Sequence, residues 1–161
     1  MQIPEPQQEH KWLQRLVGEW TYEHECSMGP DQPPMKATGT ESVRSIGDLW
    51  TVGEGRGAMP GGDPHTTIMT LGYDPQSKRF VGTFIGSMMT HLWIYNGTLD
   101  AAGKVLTLDT EGPDFSGGPD LVPYQDLIEF VDENHRKLSS QLRGPDGKWN
   151  TFMTANYRRK Q

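Results

Sequence analysis

Two strand-like segments joined by a short turn make up HTTIMTLGYDPQSKRFVGTFIGS (residues 65–87), and this pattern predicts the fold. Its two arms are rich in Thr, Ile, Val, Phe and Tyr, the residues typical of β-strands, and the turn sequence YDPQSK (73–78) joins them. Short strands and turns alternate in this way along the chain and predict ten strands, at 19–28, 36–46, 49–57, 65–73, 79–87, 91–99, 104–111, 121–131, 136–143 and 148–158. Because most turns are of hairpin length, we expect an all-β, antiparallel, up-and-down barrel whose closure removes the unpaired edges.

A helix is predicted only at the start of the chain, at about residues 6–17. Pro6 suits a first helical turn and Gly18 a C-terminal stop, and between them lies one apolar stripe made of Trp12, Leu13, Leu16 and Val17. We expect this stripe to close one end of the barrel, which spans about 19–159. Since no linker divides the sequence, residues 1–161 are expected to form a single domain.

Charge and cysteine content exclude several classes of protein. The chain has 15 Lys and Arg against 21 Asp and Glu, a formal charge of −6, which argues against binding of nucleic acid. A single cysteine, Cys26, cannot form an internal disulfide. The start of the chain does not resemble a signal peptide, and no apolar run approaches the ~20 residues of a membrane-spanning helix. We therefore expect a cytoplasmic protein that does not bind membranes.

Strand alternation places three ionisable side chains on faces that are otherwise apolar. His24 shares a face with Trp20 and Tyr22, Glu41 falls on the predicted inner face of the second strand, and Asp126 falls on that of the eighth. In the last strand, the inward set is predicted to be Trp149, Thr151, Met153, Ala155 and Tyr157. A buried carboxylate costs several kcal/mol unless it is paired or hydrogen-bonded. The barrel should therefore contain partners for these groups or a wet cavity.

Particular stretches of the chain resemble known families. Gly18-Glu19-Trp20, after a short helix, resembles the Gly-x-Trp signature of the calycins, which include the lipocalins. WLQRLVGEWTYE (12–23), LGYDPQSKRFVGTFIGSMM (71–89), LTLDTEGP (106–113) and NYRR (156–159) together resemble the uncharacterised family called domain of unknown function 1579. This second resemblance covers nearly the whole chain. It implies a lipocalin-like barrel and brings no known activity and no known catalytic residues.

The calycin resemblance also implies a contact between the two ends of the chain. Calycin barrels pack a basic side chain of the last strand over the tryptophan of the signature, here Trp20. Strand parity selects Arg159 for this position, or Arg158 if the strand contains a bulge. A guanidinium over an indole contributes about 0.5–2 kcal/mol and can also bind the carbonyls that end the helix.

No metal, haem or nucleotide cofactor is predicted. His24 and Cys26 lie two residues apart, but the five histidines never fall at the spacing of metal ligands, and only the barrel shape suggests haem. The glycines at 53, 55, 57, 61 and 62 lack the Gly-Lys-Ser/Thr of a phosphate loop, so we interpret them as bulges and turns.

The first hypothesis is non-catalytic binding of a small, partly apolar ligand inside the barrel. The candidate binding residues are Tyr22, His24, Glu41, Trp50, Glu54, Phe84, Trp93, Tyr124, Asp126 and Met153. Met59, Met69, Met88 and Met89 could add adaptable apolar lining or cover a hydrophobic corner.

Two alternatives remain open at this stage. One is an enzyme in which a buried carboxylate and His24 transfer protons. The other is a pocketless dimeric scaffold filled by its own aromatic side chains. In the sixth strand, His91, Trp93 and Tyr95 lie opposite Leu92 and Ile94, which suggests apolar cover on both faces. That cover is either a homodimer interface or the N-terminal helix.

Overall fold

The structure is a computed structural model that describes residues 1–27, 29–58 and 62–161. Within these residues the chain forms one helix and ten strands. They are α1 Gln8–Gln14, β1 Gly18–Cys26, β2 Met35–Ile46, β3 Trp50–Ala58, β4 Pro64–Asp74, β5 Arg79–Gly86, β6 Trp93–Leu99, β7 Val105–Pro113, β8 Leu121–Asp132, β9 His135–Arg143 and β10 Trp149–Arg159. Residue 28, where the first strand was predicted to end, lies outside the described residues, as do Met59 and Gly61.

Every strand pairs antiparallel with its neighbours in the chain, and β1 also pairs with β10. This last pairing closes the barrel, so the predicted all-β, up-and-down architecture is confirmed. Trp20 of β1 is paired on one side with Glu41 and on the other with Arg159. The register shifts once in the β9–β10 pair, between Thr151 and Met153. The closed sheet leaves no free edge for pairing with another chain.

The helix is shorter than predicted and closes one end of the barrel. It ends at Gln14, and a tighter turn follows in which the Leu16 amide donates to the Leu13 carbonyl at 3.0 Å. Trp12, Leu13 and Leu16 are buried in the hydrophobic core. The Trp12 indole also donates to the carbonyl of Gly103 at 2.7 Å, which fixes the helix to the turn between β6 and β7.

The interior is filled on one side of the barrel only. In this half, large side chains of the strands β6, β7 and β8 pack together, among them Trp93, Tyr95, Leu106, Leu108, Tyr124 and Ile128. The rings of Trp93 and Tyr124 meet edge to face, with their centres 5.0 Å apart. Trp93 fits because it lies against Gly112, where a Cβ would collide with the indole. The space opposite, in front of β1 to β5, β9 and β10, is left for a cavity.

Two predictions about side-chain orientation are wrong. Trp149 and Thr151 are exposed, because the bulge before Met153 reverses the parity of the start of β10. Leu92 and Ile94 are 49% and 64% exposed and do not lie under the helix, which packs against β3 and β4 instead. Among the residues described, the chain has no helix with the length and apolarity needed to cross a membrane.

Candidate functional site: the barrel cavity

A cavity of about 660 Å³ occupies the hollow half of the barrel. It extends from Leu16, below the helix, to the opposite end of the barrel, where Met88 is exposed. The lining includes Tyr22, His24, Cys26, Glu41, Val43, Thr51, His65, Thr67, Met69, Leu71, Phe84, Met88, Met89, Ile128, Arg136, Leu138, Phe152, Met153, Ala155 and Tyr157. Most of these side chains are apolar, and the polar ones are concentrated at the floor and at the mouth.

Glycines on the inner face of β3 create this space. Gly53, Gly55 and Gly57 face inward, and within the described part of β3 the pairing with β2 and β4 runs without a register shift. Our interpretation of these three glycines as bulges and turns is therefore wrong. A Cβ at position 57 would lie 2.3 Å from the hydroxyl oxygen of Tyr22, so the absent side chains make room for large neighbours.

Two of the predicted ligand-binding residues lie on the outer face of β3. Trp50 and Glu54 were predicted to line the ligand site, but Trp50 is 43% exposed and packs outside over Gly72, and Glu54 pairs with Arg56 at 3.3 Å. Both side chains point away from the cavity. The large residues of this strand lie outside because its inner positions are mostly glycine, the reverse of the usual pattern.

A buried ion pair forms the floor of the cavity. Glu41 of β2 accepts a hydrogen bond from Arg136 of β9, and the two side chains are 13% and 4% exposed. The guanidinium carbon also lies 4.6 Å from the centre of the Trp20 ring and 4.0 Å from that of Tyr157. Glu41 therefore has the partner that a buried carboxylate requires, and Arg136 is held between a carboxylate and two aromatic rings.

Two tyrosines stand beside the ion pair. Tyr22 and Tyr157 face each other across the β1–β10 pair, with ring centres 5.2 Å apart. Burial, with a further contribution from the charge of Glu41, raises the pKa of both phenols. Both hydroxyl groups are therefore neutral at physiological pH and able to donate a hydrogen bond.

Histidine and cysteine side chains lie toward the mouth. His24 stacks on Tyr22, and burial together with the nearby His65 lowers the pKa of its imidazole. Its Nε2 atom is buried without a hydrogen-bond partner among the described residues. Burial also raises the pKa of the Cys26 thiol. The mouth is therefore lined by uncharged forms of these groups at neutral pH.

Asp126 does not line the cavity. Its carboxylate accepts hydrogen bonds from the Tyr95 hydroxyl at 2.5 Å and from the Ser140 hydroxyl at 2.6 Å, inside the filled half of the barrel. Burial raises the pKa of this carboxyl, and the two hydrogen bonds oppose that shift. Asp126 is thus part of a polar network that joins β6, β8 and β9.

The structure divides the ten candidate residues into three groups. Those that line the cavity are Tyr22, His24, Glu41, Phe84 and Met153. Three others lie in the filled half of the barrel and do not line the cavity: Trp93, Tyr124 and Asp126. Trp50 and Glu54 are outside. The prediction of a ligand site over the whole interior was too broad, because side chains of β6 to β8 already occupy that half.

Sequence reasoning missed the basic partner of Glu41. Arg136 lies in β9 at the same parity as Leu138 and Ser140, and all three point inward. The alternation of Leu138 with Lys137 and Ser139 could have revealed this parity. Arg136 was overlooked because an arginine next to a turn is usually exposed.

Arg159 occupies the position expected from strand parity. Its guanidinium carbon lies 4.2 Å from the centre of the Trp20 ring, and its nitrogens donate to the carbonyls of Val17, at 2.8 Å, and Arg15, at 3.0 Å. Arg158 is exposed on the outer face. The bulge in β10 precedes Met153, so the parity from Met153 to Arg159 is unaffected.

The possible metal ligands of the described residues are not clustered. Within the described ranges, no three His, Cys, Asp or Glu side chains come together in an arrangement that could hold a metal ion. The chemistry that the cavity offers is hydrogen bonding by neutral phenols and by the neutral imidazole of His24, beside one compensated ion pair.

These observations define a class of protein, a closed ten-stranded antiparallel barrel that a helix caps at one end and that is hollow on one side. The chain belongs to the DUF1579 family, proteins of unknown function, whose sequence model matches residues 5–159. The family resemblance found in the sequence is thereby confirmed. None of the curated proteins matches the sequence significantly.

Solved structures share the fold at low sequence identity. Rv2717c from M. tuberculosis is similar over 98% of this chain and 100% of its own, with a TM-score of 0.66 and 14% identity. The structure of EF1p2_mFAP2b bound to DFHBI is similar over 94% of this chain and 98% of its own, with a TM-score of 0.51 and 12% identity. At such identities the likeness shows the fold alone.

Proposed function

We propose that this protein binds a small, partly apolar ligand inside the barrel, without chemical conversion of the ligand. The observation that carries the proposal is the cavity of about 660 Å³, which falls within the ~300–1,000 Å³ range of ligand sites. Apolar walls with a few convergent polar groups are also typical of such sites. The EF1p2_mFAP2b barrel, of the same fold, was solved bound to DFHBI, which supports the use of such a barrel as a binding site.

The contacts favour binding over the two alternatives. A cavity of this size argues against a scaffold filled by its own aromatic side chains. The proton-transfer alternative relies on a carboxylate that is free to exchange protons, but Glu41 is paired with Arg136 and Asp126 is held by two hydroxyl groups. His24 has no carboxylate partner among the described residues.

Titration with the neutral fluorescent probe N-phenyl-1-naphthylamine tests the proposal, together with native mass spectrometry of freshly purified protein. We expect saturable binding of one probe per chain. Gly55→Leu, which places a side chain in the cavity, should abolish binding, whereas Arg56→Leu on the outer face of the same strand should bind like the wild type. Equal binding by the two variants, or no binding by the wild type, would contradict the proposal.

Four further expectations stay predictions. They are a cytoplasmic location, a single domain over residues 1–161, membership of the calycins, and a homodimer. The exposed Leu92 and Ile94 support an interface on β6, since large apolar side chains that lie together on a surface often mark one. Light scattering after size-exclusion chromatography, with Ile94→Lys as the comparison, would measure the mass of the particle directly.

A further inference from the structure

The cavity is lined by three side-chain oxygens that have no hydrogen-bond partner among the described residues. They are the second carboxylate oxygen of Glu41, Oε2, and the hydroxyl oxygens of Tyr22 and Tyr157, and all three residues line the cavity. None of the three is fully buried, so each is open to the cavity. Unpartnered oxygens that face a largely apolar cavity indicate where the polar end of a ligand binds.

Glu41 and Tyr157 both contact Arg136 at the floor, whereas the Tyr22 hydroxyl lies farther toward the mouth, against Gly57. Glu41 Oε2 is packed against Gly53, since a Cβ at that position would approach it to 3.1 Å. The two tyrosine rings are in contact, and the charge of Glu41 acts on both phenols. The floor thus combines one strong acceptor, the carboxylate oxygen, with one neutral donor, the Tyr157 hydroxyl group, and Tyr22 offers a second donor nearer the mouth.

The positive charge of the floor is less accessible than the negative charge. Arg136 is 4% exposed, against 13% for Glu41, and its guanidinium is covered by the rings of Trp20 and Tyr157. An anionic group that enters the cavity would therefore meet the carboxylate before it met the guanidinium. Burial of an anion there, without a free positive partner, would cost much of its hydration energy.

A cationic group is also poorly matched. Arg136 already compensates the charge of Glu41, so a second cation would add an unbalanced charge to the floor. Among the described lining residues, the only other carboxylate is Asp63, which precedes β4 at the mouth. The floor therefore suits an uncharged group.

We infer that the ligand carries, at the end that enters the barrel first, an uncharged group that both donates and accepts hydrogen bonds, such as a hydroxyl or a primary carboxamide. This inference rests on the proposed function. The O–H or N–H of the group donates to Glu41 Oε2, and its oxygen accepts from Tyr157. The apolar remainder fills the space between Met69, Phe84 and Met153.

Competition against N-phenyl-1-naphthylamine, with four ligands of equal chain length, tests this inference. The ligands are decanol, decanamide, decanoate and decylamine, at neutral pH. We expect decanol and decanamide to displace the probe with at least tenfold higher affinity than decanoate and decylamine. Tighter or equal binding of either charged ligand overturns the inference while the proposed function stands. No binding of the probe or of any of the four would overturn the proposed function as well.

Substitution of Glu41 provides a sharper test. Glu41→Gln removes the carboxylate and leaves the charge of Arg136 uncompensated, so decanol should bind about tenfold more weakly and decanoate more tightly than to the wild type. Glu54→Gln, the same change on the outer face of β3, should alter neither affinity. Unchanged selectivity in a folded Glu41→Gln protein would refute the assignment.

If Glu41→Gln does not fold, Tyr22→Phe and Tyr157→Phe keep the inference testable. Each removes one hydroxyl group and leaves the ring that packs in the wall. Tyr157→Phe should weaken decanamide binding about fivefold or more, and Tyr22→Phe should weaken it less, with the affinity of N-phenyl-1-naphthylamine unchanged in both. Equal decanamide affinity in both variants and the wild type would overturn the proposed hydrogen bonds.

Discussion

Replacement of Arg159 by alanine should destabilise the fold because this side chain joins the two ends of the chain. It donates hydrogen bonds to the carbonyls of Val17, Arg15 and Glu133, and its guanidinium lies 4.2 Å from the Trp20 ring centre. Each hydrogen bond contributes a net ~0.5–1.5 kcal/mol and the aromatic contact ~0.5–2 kcal/mol. Because the carbonyls regain water in the variant, we expect a loss of about 3 kcal/mol. This corresponds to a melting temperature roughly 6–12 °C lower in a chain of this size.

Urea denaturation followed by circular dichroism measures this loss, and Arg158 provides the control. Arg158→Ala removes the same charge from the adjacent exposed residue and should change the free energy of unfolding by less than about 0.5 kcal/mol. Arg159→Lys keeps the charge but not the planar fork, so it should recover less than half of the loss. Affinity for N-phenyl-1-naphthylamine should not change, since Arg159 lies at the closed end. Equal destabilisation by the two alanine variants would refute the reasoning.

Three further predictions concern the cavity. Gly57→Ala should lower the free energy of unfolding by about 1–3 kcal/mol, because its methyl group would lie 2.3 Å from the Tyr22 hydroxyl oxygen. In a double-mutant cycle measured by urea denaturation, Tyr22→Phe should recover part of that loss. The pKa of His24 is lowered in the folded protein, so below the ordinary value of 6.5 the unfolded chain binds a proton more readily than the folded chain does. The stability of the wild type should therefore fall with falling pH, and His24→Gln should flatten that profile. Parallel profiles of wild type and variant would contradict the role given to His24. Cys26 carries the only thiol in the chain, and burial raises its pKa, so at pH 8 it should react with Ellman's reagent more slowly than glutathione does. The reaction should be slower still when N-phenyl-1-naphthylamine is bound, because Cys26 lines the cavity. No protection by the bound probe would place it outside the mouth.

Local pattern alone was sufficient for the architecture. Turn sequences such as YDPQSK (73–78) and the strand composition between them predict ten antiparallel strands, because hairpin geometry and strand propensity depend on neighbouring residues. Parity also placed Glu41 and Arg159 on the inner face, since alternation extends along a strand until a bulge interrupts it, and the calycin resemblance added the position of Arg159 over Trp20. The same rule failed for Trp149, because the bulge before Met153 reverses the alternation and no local sequence signal marks that bulge.

The identity of the cavity, by contrast, depends on contacts between strands that are distant in the chain. The sequence determined that Glu41 faces inward, but only the closed barrel brings Arg136, from β9, to its side and so decides that the floor carries a compensated pair. Likewise, the inward glycines of β3 have no side chain to reveal which face is buried, so Trp50 and Glu54 were misplaced. Alternation fixes the direction of a side chain, whereas the space before it depends on the volumes of all the strands that face it. That sum of volumes exists only in the folded barrel.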